Sequence, residues 1–98
     1  YGDGVIKIIF TPGHTPGHQS VLVNLPKTGH MLFTGDACYT GDHWCDKCLP
    51  GLVSSSSDAA ASVKKLRRVA KEHDAKVVWG HDPVSWPDWK KAPMFYYD

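Results

Sequence analysis

Several features are scarce in this sequence, and each absence excludes a class of protein. No apolar run approaches the roughly 18 residues of a membrane-spanning helix. The 11 basic and 10 acidic residues leave a net charge of +1, so neither nucleic acid nor an anionic membrane is an expected partner. A length of 98 residues leaves no room for two independent domains. An apolar content of 42% nevertheless predicts a globular fold.

Cysteine is also scarce, with three residues at Cys38, Cys45 and Cys48. An odd number in a small chain argues against a disulfide framework, and it favours a reducing, cytoplasmic location. Cys45 and Cys48 form a C-x-x-C pair, but no second pair completes a structural zinc site. We interpret them as loop thiols without a role, in preference to metal or redox use.

The apolar pattern predicts a mostly antiparallel sheet and one main helix. Four strands are expected, over residues 5–10, 19–25, 30–34 and 75–79. The turn at 26–29, with Gly29 free to adopt a positive φ, makes the second and third strands an antiparallel hairpin. Residues 37–56 are predicted to form a loop, because glycine, proline and serine are frequent there.

The predicted helix follows this loop, with Ser57 as its N-cap. Val63, Leu66, Val69 and Ala70 fall on one face of it. The lysines and arginines fall elsewhere on the helix, which favours a solvated face over a nucleic-acid patch. The helix is therefore expected to pack its apolar face on the sheet.

Three possible metal ligands each follow a predicted strand and a glycine: His18, Asp36 and His81. Loops at one end of a sheet can bring together residues that are distant in sequence, and two imidazoles with a carboxylate are a partial ligand set for Zn²⁺. Taken alone, Gly35-Asp36 is more often a turn or a helix cap, and each histidine is unremarkable. The same context found three times favours a metal site.

The segments around these residues resemble a known family. They are Gly13-His14-Thr15-Pro16-Gly17-His18, Phe33-Thr34-Gly35-Asp36 and Gly80-His81-Asp82. Together they resemble the C-terminal half of a metallo-β-lactamase-fold hydrolase, over about residues 5–83. Within that superfamily the chain looks most like the quorum-quenching N-acyl-homoserine lactonases, by His18-Gln19-Ser20, Asp36-Ala37-Cys38-Tyr39 and Val78-Trp79-Gly80-His81-Asp82.

The resemblance implies an α/β fold, the αβ/βα sandwich, and a site with two zinc ions. His18 would bind the first metal, His81 the second, and Asp36 would bridge them. A metal-bound hydroxide would open the lactone ring, and Tyr39 would donate a hydrogen bond to the substrate carbonyl or the developing oxyanion. His14 would be structural. Asp82 would either orient His81 or cap the next turn.

One part of the family pattern is missing from the sequence. The motif H-x-H-x-D-H, which supplies other metal ligands in the family, does not occur in residues 1–98. We therefore expect residues 1–98 to be the C-terminal part of a metallo-β-lactamase-like domain, and the isolated chain to be inactive or to bind metal weakly. Half of a two-sheet sandwich leaves an apolar sheet face uncovered. The expected partner of that face is the missing N-terminal half, a complementing chain or a second copy.

Two alternatives to a lactonase remain open from the sequence. One is a glyoxalase-II-like thioesterase of the same superfamily, and the other is a non-catalytic module for metal binding or association. The substrate is expected to be a small lactone or ester. Aromatic residues near the C-terminal end are expected to serve packing rather than an acyl pocket, namely Trp86, Trp89, Phe95 and Tyr96.

Overall fold

A computed structural model describes residues 2–46, 51, 53–91 and 97 of the chain. In these residues a four-stranded sheet carries one long helix on one of its faces. The strands are β1 (Ile6–Phe10), β2 (Gln19–Leu25), β3 (Gly29–Gly35) and β4 (Lys76–Trp79). The helices are α1 (Gly41–Trp44) and α2 (Ser56–His73), followed by a 3₁₀ helix at Trp86–Asp88. The predicted α/β class, with one main helix, is confirmed.

The strands lie in the order β1-β2-β3-β4. The pair β2–β3 is antiparallel, as the predicted hairpin requires, and so is β1–β2, while β4 is parallel to β3. A parallel neighbour needs a crossover connection, and α2 supplies it. Because β2 runs against both of its neighbours, β1, β3 and β4 all run in one direction. Their C-terminal ends therefore share one edge of the sheet.

The core lies between α2 and one face of the sheet. Leu22 and Leu32, paired across β2 and β3, pack against Leu66 of the helix. Leu32 and Leu66 are completely buried, and burial of one such side chain stabilises the fold by about 1.5–3 kcal/mol. Val63 is also buried, and Val69 and Ala70 pack at the edge of the cluster. The predicted apolar face of the helix is therefore the face that packs on the sheet.

The opposite face of the sheet is apolar and largely uncovered. Ile8 is 55% exposed and Phe10 is 53% exposed, while Phe33 on β3 is 40% exposed. Successive side chains of a strand point to opposite faces, so these residues lie on the side away from Leu22 and Leu32. Among the described residues the sheet thus has the uncovered apolar face that we expected of half a sandwich.

The structure corrects two predicted boundaries. Ser55, and not Ser57, is the N-cap of α2, because its side chain accepts a hydrogen bond from the backbone N–H of Asp58 at 3.2 Å. The region predicted as a loop over 37–56 contains the short helix α1. Arg67 of α2 holds the end of this helix, since it donates to the carbonyl oxygen of Trp44 at 3.0 Å.

The segment after β4 turns back onto the uncovered face of the sheet. Trp86 and Trp89 line a cavity there together with sheet residues Met31, Phe33 and Val78. Trp86 is 58% exposed, and the packing role expected of these tryptophans stays a prediction. Phe95, Tyr96 and Cys48 lie outside the described residues, and Cys45 is an exposed thiol. No helix in the described part of the chain is long and apolar enough to cross a membrane.

Candidate functional site

The loops that follow β1, β3 and β4 meet at the edge where these three strands end. The first loop carries His14 and His18, the second carries Asp36 and Tyr39, and the third carries His81. The backbone joins the last two loops directly. The N–H of Gly80 donates to the carbonyl oxygen of Cys38 at 3.1 Å, and the N–H of His81 donates to that of Tyr39 at 2.9 Å.

Asp36 lies between two imidazoles. The Nε2 atom of His81 is 2.7 Å from Oδ1 of Asp36, and the Nε2 atom of His14 is 3.4 Å from Oδ2. The three side chains are open to solvent to different degrees, with His14 20%, Asp36 41% and His81 61% exposed. One carboxylate with an imidazole nitrogen at each oxygen is a donor set suited to borderline divalent metals.

Glycine is required at two points where the loops come close. A Cβ atom at Gly80 would lie 2.3 Å from the carbonyl oxygen of Gly35. A Cβ atom at Gly13, whose φ is +139°, would lie 2.3 Å from the backbone nitrogen of Ala59. Gly80 therefore lets β4 approach the end of β3, and Gly13 lets the His14 loop lie against the start of α2.

Tyr39 places its phenol among the same side chains. Its hydroxyl lies 3.2 Å from Nδ1 of His14, and its ring packs edge-on against His81, with 4.7 Å between the ring centroids. Tyr39 therefore touches both histidines that flank Asp36. The predicted residues Asp36, Tyr39 and His81 are thus brought together.

His18, the other predicted ligand, faces the interior of the fold. Its Nε2 accepts a hydrogen bond from the backbone N–H of Asp36 at 3.0 Å, and its Nδ1 is 2.9 Å from the hydroxyl of Thr11. The structure therefore places His18 behind Asp36, and both of its ring nitrogens have partners within the chain.

The direction of these hydrogen bonds is fixed by a buried chain of hydroxyls. Ser20 donates to the carbonyl oxygen of Thr34 at 3.1 Å, so its own oxygen must accept the proton of Thr11, 2.9 Å away. Thr11 then accepts from Nδ1 of His18, and Nε2 is left with a lone pair for the N–H of Asp36. Thr11, Ser20 and Thr34 are at most 1% exposed. A single arrangement of protons satisfies every one of these groups.

His14, predicted to be structural, is the histidine of this loop whose side chain lies beside the carboxylate of Asp36. The tetrapeptide Thr-Pro-Gly-His occurs twice in succession, so residue types alone do not separate the two histidines. The alternation of β2 carries the missing signal. His18 has the same parity as Ser20 and Leu22, which are 1% and 2% exposed, so extending the strand backwards points His18 to the core.

Asp82 caps a turn, which was one of its two predicted roles. Its carboxylate accepts hydrogen bonds from the backbone N–H groups of Val84 at 3.0 Å and Gly41 at 3.2 Å. Burial favours the neutral carboxyl, but these hydrogen bonds, together with those from Ser85, outweigh it and hold the pKa of Asp82 below its usual value. The bond to Gly41 ties the His81 loop to the start of α1.

The metal-ligand set is partial in the described residues. The ring nitrogens of His14 and His81 lie beside different oxygens of Asp36. In the described ranges, no group of three or more His, Cys, Asp or Glu side chains could hold a metal ion by itself. A catalytic zinc ion takes three protein ligands. Further ligands are needed to complete a site on either side of Asp36.

Comparison with known proteins gives consistent results. The family described as the Metallo-beta-lactamase superfamily matches residues 1–81. N-acyl homoserine lactonase AttM of Agrobacterium fabrum is 58% identical over 96 residues, which are 98% of this chain and 36% of that protein. An N-acyl homoserine lactonase of Bacillus cereus is 39% identical over 77 residues, which are 79% of this chain and 30% of that protein.

Solved structures show the same relationship. The crystal structure of a quorum-quenching N-acyl homoserine lactone lactonase has a TM-score of 0.84 and 31% identity, over 91% of this chain and 37% of that one. An N-acyl homoserine lactone hydrolase with the product N-hexanoyl-L-homoserine at its catalytic metal centre has a TM-score of 0.85, over 92% of this chain and 36% of that one. The chain spans about a third of the length of the curated relatives it matches.

Proposed function

Since the chain belongs to the metallo-beta-lactamase superfamily, we propose that it forms part of a metal-dependent hydrolase that opens the lactone ring of N-acyl homoserine lactones. The observation that carries this proposal is the Asp36 carboxylate, which has an imidazole nitrogen beside each oxygen and the Tyr39 phenol next to both rings. The names of the relatives support the choice of substrate.

The ligands proposed for this chain are His14, Asp36 and His81, with zinc as the metal. The donor set fits by its chemistry, because zinc takes imidazole nitrogens and carboxylate oxygens as ligands, and the two Nε2 atoms lie 3.4 and 2.7 Å from separate oxygens of one carboxylate. Bound zinc supplies Lewis acidity and lowers the pKa of a coordinated water. His18 is not a ligand in this proposal, since the lone pair of its Nε2 accepts the hydrogen bond from the backbone N–H of Asp36.

The position of the ring proton on His14 decides whether the hydroxyl proton of Tyr39 can be donated to the substrate. If Nε2 of His14 is a ligand, its Nδ1 carries the ring proton and donates it to the Tyr39 hydroxyl oxygen, 3.2 Å away. The hydroxyl proton of Tyr39 is then available to another acceptor. We assign it to the lactone carbonyl oxygen, where negative charge develops as water adds to the carbonyl carbon.

The proposed reaction adds one water to the lactone. The water oxygen bonds to the carbonyl carbon, and the ring C–O bond breaks. The leaving oxygen becomes the hydroxyl of N-acyl homoserine, and at neutral pH the new carboxyl group releases one proton to solvent. In this reaction Tyr39 orients the carbonyl, while the Thr11–Ser20–His18 chain keeps Asp36 in place.

The remaining ligands are proposed to come from polypeptide outside residues 1–98. The partial ligand set and the uncovered apolar face of the sheet both support this, because a second sheet packed on Ile8, Phe10 and Phe33 would bring further side chains to the same edge. The N-terminal half of the same domain is the preferred source, ahead of a complementing chain or a second copy. A cytoplasmic location, inferred from the cysteine content, is part of the same proposal.

The test uses the intact natural protein loaded with zinc. It is given N-hexanoyl-L-homoserine lactone and, separately, a glutathione thioester, and the products are followed by mass spectrometry. We expect the lactone to gain one water and an Asp36→Asn variant to lose this activity. Asp74→Asn, at an exposed carboxylate just before β4 and so at the opposite end of the sheet, should keep it. Thioester hydrolysis without lactone opening would favour the glyoxalase-II-like thioesterase. Zinc binding without any turnover would favour the non-catalytic module.

A further inference from the structure

We propose that His43 is a positioning residue for Tyr39, holding the backbone from which the phenol reaches His14 and His81. The inference rests on the proposed function, because it gives His43 a role in the step that Tyr39 serves. His43 is the third residue of α1 and is 2% exposed. Within the described part of the chain its hydrogen bonds are to Tyr39, Thr40 and Asp46, so it would act on the site through Tyr39.

The contact between the two residues is specific. The Nδ1 atom of His43 accepts the backbone N–H of Tyr39 at 3.2 Å, and the two rings meet edge-on at 6.4 Å between centroids. The N–H of His43 in turn donates to the hydroxyl of Thr40 at 3.2 Å. These bonds join the first turn of α1 to its N-cap Thr40 and to Tyr39. The imidazole is therefore fixed relative to the Tyr39 backbone.

Tyr39 is thereby held on both sides of its backbone. Its N–H is bound by His43, and its carbonyl oxygen accepts the N–H of His81 at 2.9 Å. Loss of the first contact leaves a partly buried N–H without this acceptor and frees the backbone to rotate about the second. The hydroxyl of Tyr39, 3.2 Å from Nδ1 of His14, would then leave its position.

The other ring nitrogen of His43 indicates which tautomer is present. An Nδ1 that accepts a hydrogen bond has no proton, so the neutral ring carries its proton on Nε2. That Nε2 is buried and has no hydrogen-bond partner among the described residues. An unpaired buried N–H is unfavourable, so Nε2 does not explain why a histidine is found here. What the histidine contributes is the lone pair on Nδ1, which accepts the Tyr39 N–H. Burial also lowers the pKa of His43, against the opposing charge of Asp46, which keeps that lone pair available.

The proposal is tested with His43→Leu and His43→Asn in the intact protein. Leucine fills the space but accepts no hydrogen bond, whereas the carboxamide oxygen of asparagine can accept the Tyr39 N–H. With N-hexanoyl-L-homoserine lactone we expect leucine to lower kcat by about tenfold, since small displacements of catalytic groups have effects of at least this size. KM and zinc content should stay near those of the unaltered protein, and asparagine should restore most of kcat.

A double-mutant cycle and a spectroscopic measurement separate positioning from a merely structural role. In a Tyr39→Phe background, His43→Leu should cause no further loss of kcat. Equal loss in both backgrounds, or an asparagine variant as impaired as leucine, would overturn the proposal. The ¹⁵N shifts of the His43 ring should show an unprotonated Nδ1 and a protonated Nε2. A protonated Nδ1 would overturn the hydrogen bond from the Tyr39 N–H, whether or not the protein opens lactones. Absence of lactonase activity in the unaltered protein would refute only the proposed function.

Discussion

The backbone N–H of Asp36 donates a hydrogen bond to Nε2 of His18 across 3.0 Å. A ring nitrogen has one lone pair, so this contact removes the atom with which His18 would bind a metal. It also fixes the loop after β3 from behind, which leaves the Asp36 carboxylate turned towards His14 and His81. One hydrogen bond thus separates the two histidines of the repeated tetrapeptide into a support and a candidate ligand.

The hydroxyl chain behind Asp36 predicts a stability effect. Thr11→Val keeps the shape of the side chain, but it leaves Nδ1 of His18 without an acceptor and Ser20 without a donor. Unpaired buried polar groups cost about 1–3 kcal/mol, so the free energy of unfolding should fall by about that amount in denaturant titrations. Thr15→Val, at an exposed threonine of the same loop, is the control and should change it little. Equal stability of the two variants would argue against the hydrogen-bonded series Ser20–Thr11–His18.

The close approach at Gly80 predicts a steric effect. Gly80→Ala puts a methyl group 2.3 Å from the carbonyl oxygen of Gly35, so the ends of β3 and β4 must separate and His81 must move away from Asp36. Overpacking of this kind typically costs about 1–3 kcal/mol, and zinc retention should fall with stability. Gly17→Ala meets no atom within 4 Å and is the matched control in thermal unfolding. Full zinc retention by Gly80→Ala would contradict the placement of His81.

The phenol of Tyr39 predicts a kinetic effect without a loss of metal. Tyr39→Phe removes the hydroxyl and keeps the ring that packs on His81. Loss of one hydrogen-bond donor to a developing oxyanion costs about a hundredfold in kcat, and zinc content should be unchanged. Tyr97→Phe, which removes a hydroxyl bonded to Lys90, should leave kcat unchanged. A Tyr39→Phe enzyme with full kcat would exclude the assigned role.

The buried ring of His43 predicts a dependence of stability on pH. Its pKa in the folded protein lies below the ordinary value of 6.5, because burial disfavours the charged form more than Asp46 favours it. The unfolded chain then binds more protons than the folded one between these two values. The stabilisation that neutral His43 gives the folded state is complete above about pH 6.5, and it is lost as the pH falls towards the lowered pKa. Denaturant unfolding from pH 7 to pH 5 should be less pH-dependent for His43→Asn; an identical slope would refute the effect.

The strands and α2 could be predicted because their signals are long and repetitive. The apolar run of β2 and the helical spacing of Val63, Leu66, Val69 and Ala70 each cover seven or eight residues, and the strand and the helix were both confirmed. The helix α1 has four residues, which is too few for a period to show. The cap of α2 lies in a run of four serines, in which each hydroxyl has the same chemistry. Tertiary contacts distinguish the serines, since the backbone N–H groups of Ser54 and Ser55 donate to the carbonyl oxygen of Gly13.

The site was harder to predict than the fold because it depends on side-chain direction. The sequence placed Asp36 and His81 just after predicted strands, and the topology brings the ends of these strands to one edge. The direction of His14 and His18 depends on contacts with Asp36, which is far from both in the sequence. The contact of His43 with Tyr39 gave no sequence signal, since it depends on the helix α1, which the sequence did not predict.

Zinc content in three forms of the intact protein tests the central claim most directly. The unaltered protein, His14→Ala and His18→Gln are dialysed against the same weak chelator, and bound zinc per chain is measured by mass spectrometry. Glutamine can accept the Asp36 N–H with its side-chain oxygen, so His18→Gln is predicted to keep the zinc of the unaltered protein, while His14→Ala loses zinc. Retention by His14→Ala together with loss by His18→Gln would contradict the account and make His18 the ligand.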